Sequence, residues 1–197
     1  METEFQLFDN QGRRKYLTPE ERKLFEETAK ELDRDSRMFC QTLLHTGGRI
    51  SEVLELTPSR FDFTTKEVIL RSLKKRSPKP KFRAIPIPDR LLNDLDLVYD
   101  LTKAQKKREH NKTRLWNWSR INGWKKVKKV MGLAGFELDA PYACPKGLRH
   151  AFGVHLALEG VPESQIQRLL GHSSPVITAI YTNVLGLEKR KLISKIW

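Results

Sequence analysis

Apolar and polar positions alternate with a helical period over the first third of the chain, with a strand period in a short middle stretch, and with a helical period again afterwards. Thr18-Pro19-Glu20-Glu21 combines an N-cap, a proline at the first helical position and a capping-box glutamate, which predicts a helix running to about Leu32. Residues 1–17 are polar, carry the basic cluster Arg13-Arg14-Lys15, and read as a flexible lead-in. A second helix opens near Asp35, turns Met38, Leu43 and Leu44 inward, and stops at Gly47-Gly48. Ile50 to Leu56 then has the 3,4 apolar spacing of a short buried helix.

From Phe61 to Pro88 the pattern becomes that of strands. Val68–Leu73 and Phe82–Ile87 are β-rich runs joined by a basic hairpin loop, Lys74 to Lys81. Asp89 is the expected cap of a long helix through Leu91, Leu92, Leu95, Val98, Tyr99 and Leu101. Arg114 to Arg120 interleaves aromatic residues with cations. Ser119 caps a helix with Trp124, Val127, Val130 and Met131 on one face and Lys125, Lys126, Lys128 and Lys129 on the other. Three more helices follow, Lys146–Leu158, Pro162–Leu170 and one from Ser174-Pro175 carrying Val176, Ile177 and Ile180 beside Tyr181. After Gly186, an amphipathic tail either folds onto its own domain or docks on a neighbouring subunit. The expected fold class is mainly α with a small antiparallel β-sheet or hairpin, an α+β arrangement with a core domain over 18–184 and a tail over 185–197.

Composition narrows the partner. The 197 residues, 39% of them hydrophobic, suffice for one core, and the formal net charge of +13 with a pI near 9.9 is the footprint of a nucleic-acid binder or of a basic but uncommitted surface. Lys74, Lys75, Arg76, Lys79 and Lys81 place five cations in eight residues, either aimed at a polyanion or held in a solvated turn. Lys125 and Lys128 belong to a lysine face that tracks phosphates or merely solubilises its helix. Cys40 and Cys144 are too few and too far apart for a disulfide framework or a metal knuckle, and no run approaches 18 apolar residues. The expectation is a soluble, cytoplasmic protein with no membrane partner.

Candidate chemistry gathers between Cys144 and Val184. Lys146 and Arg149 are three apart and share a helix face, His172 follows in Leu-Leu-Gly-His-Ser-Ser, and Tyr181 comes nine residues later. Cations, an imidazole and a phenol in an otherwise apolar stretch suggest phosphate chemistry. Arg49, held at a glycine turn against a helix start, either meets a phosphate bidentately or pairs with Glu52. Taken singly, Tyr181 reads equally as a core tyrosine and His172 as a helix cap, while His45, His150 and His155 read as structural or surface groups.

Taken as an ordered set, these residues resemble the catalytic domain of the tyrosine recombinase, or phage integrase, family. Thr46-Gly47-Gly48-Arg49-Ile50-Ser51-Glu52 is similar to the family's first-arginine motif, Lys74 after a strand to its hairpin lysine, and Gly147-Leu148-Arg149-His150 to the second-arginine motif. Leu170-Gly171-His172-Ser173 is similar to the following histidine motif and Tyr181 to the nucleophile. The chain departs from the pattern at Lys146, where the family most often has histidine, although a lysine there occurs in some members and in the related type IB topoisomerases. It also departs in length, since most relatives carry an amino-terminal helical domain. In size it is similar to the small recombinases that invert fimbrial switches.

The resemblance implies a site-specific DNA recombinase working without cofactor, metal or ATP. Arg49 and Arg149 would clamp one scissile phosphate, Tyr181 would attack it to give a 3'-phosphotyrosine, and Lys74, or Lys75 in its place, would protonate the leaving 5' oxygen. His172 would hydrogen-bond the phosphate, and Lys146 would assist proton transfer or hold phosphate charge. The implied partners are double-stranded DNA with inverted half-sites, further copies of the chain as a dimer per site and a tetramer in synapsis, and accessory DNA-bending proteins. The rival expectations are relaxation of supercoils in the manner of a type IB topoisomerase and non-catalytic DNA binding on the same scaffold.

Overall fold

Capping chemistry sets several of the helix boundaries. The computed structural model describes residues 6–73 and 80–181. Helix α1 (Pro19–Thr28) opens with a reciprocal box in which the Thr18 N–H donates to the Glu21 carboxylate at 2.8 Å and the Glu21 N–H to the Thr18 hydroxyl at 3.2 Å. It tightens into a 3-10 turn over Ala29–Glu31, so the chain leaves the helical path at Leu32 as expected. Helix α2 (Arg34–Thr46) is capped by Asp33 and ends on Gly47 at φ +56°, a left-handed conformation that favours glycine. Met38, Phe39, Cys40, Leu43 and Leu44 are buried along it, and α1 and the later helices Asp89–Tyr99, Arg120–Leu133 and Pro145–Leu158 pack around it.

Helix α3 (Ile50–Leu54) follows at once, and then comes a three-stranded antiparallel sheet in the order β1 (Phe61–Asp62), β2 (Glu67–Ser72), β3 (Lys81–Pro86). The two expected strands are present, with Val68 opposite Ile85 and Leu70 opposite Arg83. Strand β1 is too short to carry a period and gives no sequence signal. Positions 74–79 of the connection lie outside the described residues, and with them Lys74, Lys75, Arg76 and Lys79.

The long helix expected through Leu101 is two. Helix α4 (Asp89–Tyr99) ends on Asp100 at φ +48°, and α5 (Leu101–Gln105) restarts there, capped by the Asp96 carboxylate, which accepts from the Thr102 N–H at 2.8 Å. The break turns Leu101 fully into the core. Asp89 is the first helical residue and not the cap, a position held by Pro88. Helix α6 (Arg120–Leu133) starts at Ser119 as expected, and before it Trp116 is core, edge-on to Phe39 and donating its indole N–H to the Asp35 carbonyl at 3.1 Å. Helix α7 (Pro145–Leu158), helix α8 (Glu163–Leu170) and helical backbone at 176–181 complete the described chain.

The lead-in is not loose from Leu7 onward. Leu7, Tyr16 and Leu17 are buried, Phe8 and Arg14 form an antiparallel bridge, and the Arg14 guanidinium pairs with Glu21 while lying 4.8 Å over the Tyr142 ring. Three apolar residues at the edges of a polar run are enough to strap it to the core, which averaging over the run conceals.

Candidate active site

Five chain segments meet at one cavity of about 670 Å³. Gly47 closes α2 and bends the chain so that Arg49 heads α3 at the cavity wall. There the Arg49 N–H and Nη1 donate to the two oxygens of Glu52 at 3.0 and 2.9 Å. Arg49 thus pairs with Glu52, one of the two options the sequence offered, and its side chain, 35% exposed, also faces the cavity. Glu52 is itself 2% exposed and also accepts from Arg83 Nη2 at 2.5 Å. Arg83 in turn donates Nε to the Leu169 carbonyl at 2.8 Å, tying β3 to the end of α8.

Helix α7 supplies three groups from its first turns. Lys146 is exposed at the rim, Arg149 is 7% exposed below it, and His150 is buried beside it. Arg149 donates Nη1 to the Gly47 carbonyl at 2.8 Å and Nη2 to the Leu170 carbonyl at 2.5 Å, so one guanidinium joins the ends of α2 and α8. A guanidinium has five N–H donors, and these two bonds leave others for a ligand. Burial, then the charges of Arg49 and Arg83, depress the Arg149 pKa to about 9. Arg49 and Arg83 pair with the single Glu52 carboxylate and Arg149 stands close by without pairing to it, so the cluster has a surplus of positive charge that an anion would relieve.

Gly171 ends α8 in a left-handed turn, φ +66°, and sets His172 on the far wall, where its Nδ1 lies 3.0 Å from the Thr178 hydroxyl. Thr178 is on the helical backbone that carries Tyr181, so the two are linked through one side chain. The His172 and Tyr181 rings are nearly parallel, 9° apart in orientation with centroids separated by 6.1 Å. Tyr181 is 1% exposed and packs its ring over Gly153, where a Cβ would come within 2.6 Å of the ring. Its hydroxyl lies 3.0 Å from His150 Nδ1. Burial raises the phenol pKa to about 12, against the opposing pull of Arg149 and Arg49.

Of the residues singled out from sequence, Arg49, Lys146, Arg149, His172 and Tyr181 line this one cavity, and Lys74 lies outside the described residues. Lys81 and Lys125 are exposed away from it. Lys128 is occupied locally, donating to the Leu138 carbonyl and lying 5.2 Å over the Trp124 ring. Trp124 was expected on the apolar face of α6; it is 43% exposed and lines the cavity with Arg120. Sequence reasoning named Glu52 only as a possible partner of Arg49 and His150 only as a structural or surface group, and it passed over Arg83. Arg83 had a signal, because it alternates with Ile85 and Ile87 on the inward face of its strand, where a cation requires a carboxylate. Among the described residues no helix is long and apolar enough to cross a membrane.

The sequence profile of the phage integrase family matches residues 15–187, and the chain belongs to that family. It is 31% identical over 191 residues to the tyrosine recombinase XerA of Thermococcus kodakarensis, covering 92% of this chain and 64% of the relative. It is 30% identical over 176 residues to the tyrosine recombinase XerD of Yersinia pestis, covering 81% of this chain and 52% of the relative. The chain thus spans less than two thirds of the length of these relatives. Its fold is that of the XerA recombinase crystal structure, at a TM-score of 0.71 with 23% identity over 91% of this chain and 64% of that one. The XerH recombinase bound to palindromic difH substrate gives 0.72 with 18% identity, over 91% and 52%. The catalytic domain of bacteriophage HP1 integrase gives 0.63 with 22% identity, over 89% and 92%.

Proposed function

We propose that the chain is a site-specific DNA recombinase that breaks and rejoins DNA through a 3'-phosphotyrosine. The observation that carries this reading is the cavity itself: two guanidiniums with donors to spare, a surplus of buried positive charge, and a tyrosine hydroxyl in the same wall. A phosphodiester is the anion that such a cluster fits, and its non-bridging oxygens match a pair of arginine forks.

In the proposed reaction Arg49 and Arg149 hold the scissile phosphate and stabilise the charge that builds on it in the transition state. Tyr181 attacks phosphorus, and Lys74 protonates the departing 5' oxygen. His172 donates to the phosphate, and Lys146 adds charge at the rim or takes part in proton transfer. Lys75, Arg76, Lys79, Lys81, Lys125 and Lys128 contact the DNA backbone on either side. Double-stranded DNA with inverted half-sites, a dimer on each site, a tetramer in synapsis and accessory bending proteins complete the proposal, in a cytoplasmic setting. The relatives' names support the recombinase reading, since XerA and XerD are tyrosine recombinases and XerH is bound to its substrate after cleavage.

The test uses a pool of nicked duplexes with randomised arms around a central scissile strand, so that cleavage releases a short fragment and traps the protein on DNA. The wild-type chain should give an adduct that survives denaturant, and sequencing the trapped DNA should return an inverted repeat. Tyr181→Phe should give none, and Arg149→Ala should reduce trapping by about 10²-fold or more. An untrapped wild-type chain that still binds the pool would replace the proposal with non-catalytic DNA binding.

A further inference from the structure

The geometry points to His150 as the group that takes the proton from Tyr181 when the phenol attacks phosphorus, a role that rests on the recombinase reading above. The imidazole is directly on the reacting atom: Nδ1 is 3.0 Å from the Tyr181 hydroxyl, inside the reach a general base needs. His172, the other imidazole of the cavity, meets Tyr181 ring to ring and turns its own Nδ1 to Thr178. Lys146, at the position where the family most often has histidine, is exposed at the cavity rim.

The tautomer follows from acidity. The phenol is the stronger acid of the pair, so its O–H donates to Nδ1 and the ring proton sits on Nε2, a buried atom without a hydrogen-bond partner among the described residues. Burial, then Lys146, Arg149, Lys15 and His172, hold the imidazole pKa down at about 3, so the ring is neutral at physiological pH and its Nδ1 lone pair is available. The same burial and neighbouring charges keep the ring from holding a proton in the free protein, where the phenol stays protonated. A phosphate between Arg49 and Arg149 adds negative charge next to that group, which raises the basicity of His150 only when substrate is present.

The step balances within the site. The Tyr181 O–H bond breaks and its proton goes to His150 Nδ1, while the oxygen electron pair forms the bond to phosphorus. The bond from phosphorus to the 5' oxygen breaks, its electron pair stays on that oxygen, and the oxygen takes a proton from an ammonium group, the role proposed for Lys74. Religation runs the same transfers backwards.

Two substitutions separate proton transfer from positioning. His150→Asn keeps an oxygen acceptor near the place of Nδ1 but has no useful basicity, and His150→Ala removes both. On a trapping duplex identified from the pool, both variants should form adduct about 10²-fold or more slowly at pH 7.5 while binding the duplex as the wild type does. Their rates should climb with pH where the wild-type rate is flat. A more acidic phenol, 3,5-difluorotyrosine at position 181, should restore the His150→Asn rate at least about tenfold and change the wild-type rate little. If His150→Ala does not fold, the His150→Asn and fluorotyrosine measurements decide alone. A His150→Asn rate within about threefold of wild type overturns the role of His150 and leaves the recombinase reading standing. Absence of any wild-type adduct removes that reading and this one with it.

Discussion

His150 shows how one residue records its surroundings in an equilibrium measurement. Its folded pKa near 3 lies below the ordinary 6.5, so between those values the unfolded chain binds a proton that the folded chain refuses, and stability falls as pH falls. The slope approaches about 1.4 kcal/mol per pH unit for one such group. His155 is shifted the same way by burial, whereas Glu26 and Glu52, held below their ordinary 4.5, lose their contribution only further down. Urea unfolding at intervals from pH 6.5 to 5 should therefore show a falling midpoint, and His150→Asn should flatten most of it. An unchanged slope in the variant would mean that the imidazole is not buried against those cations. The sequence announces only part of this: Lys146 and Arg149 are neighbours of His150 along the chain, whereas Lys15, His172 and Tyr181 come from distant positions and join them only in the fold.

At the scale of elements, the glycines that bring helices together give sharper predictions than the helices do. Gly153 leaves room on α7 for the Tyr181 ring, so Gly153→Ala should cost about 1–3 kcal/mol by overpacking and should also slow adduct formation, since the phenol itself must shift. A loss of stability without a loss of rate would place the strain elsewhere. Asp100 holds a left-handed turn between α4 and α5, and Asp100→Gly should be neutral or stabilising by up to about 1 kcal/mol in thermal unfolding. The caps at Thr18 and Ser119 are legible because each is a local bargain between a side chain and the backbone three residues on, and the stop at Gly47 because glycine takes the left-handed turn at low cost. The Asp100 break is not, because the demand that Leu101 turn inward is made by the core and not by its neighbours in sequence. The strap at Leu7, Tyr16 and Leu17 is hidden for the same reason.

For the whole molecule, the charge of +13 would make the proposed association with DNA an ion-exchange reaction. Contact with about 6–10 phosphates should lower affinity by about 10³–10⁵ between 50 and 200 mM salt, read by fluorescence anisotropy on a labelled duplex, and a flat response would discount the basic surface. The ordered motifs made Arg49, Lys146, Arg149, His172 and Tyr181 legible as a set, while the carboxylate that steadies them was visible only as a possible partner of one arginine. That shared carboxylate has a practical consequence at the bench. One Glu52 serving Arg49 and Arg83, with Arg149 close by, leaves positive charge in excess, which favours tetrahedral oxyanions, so sulfate or phosphate buffer should raise the melting temperature and inhibit strand cleavage together, whereas acetate should do neither.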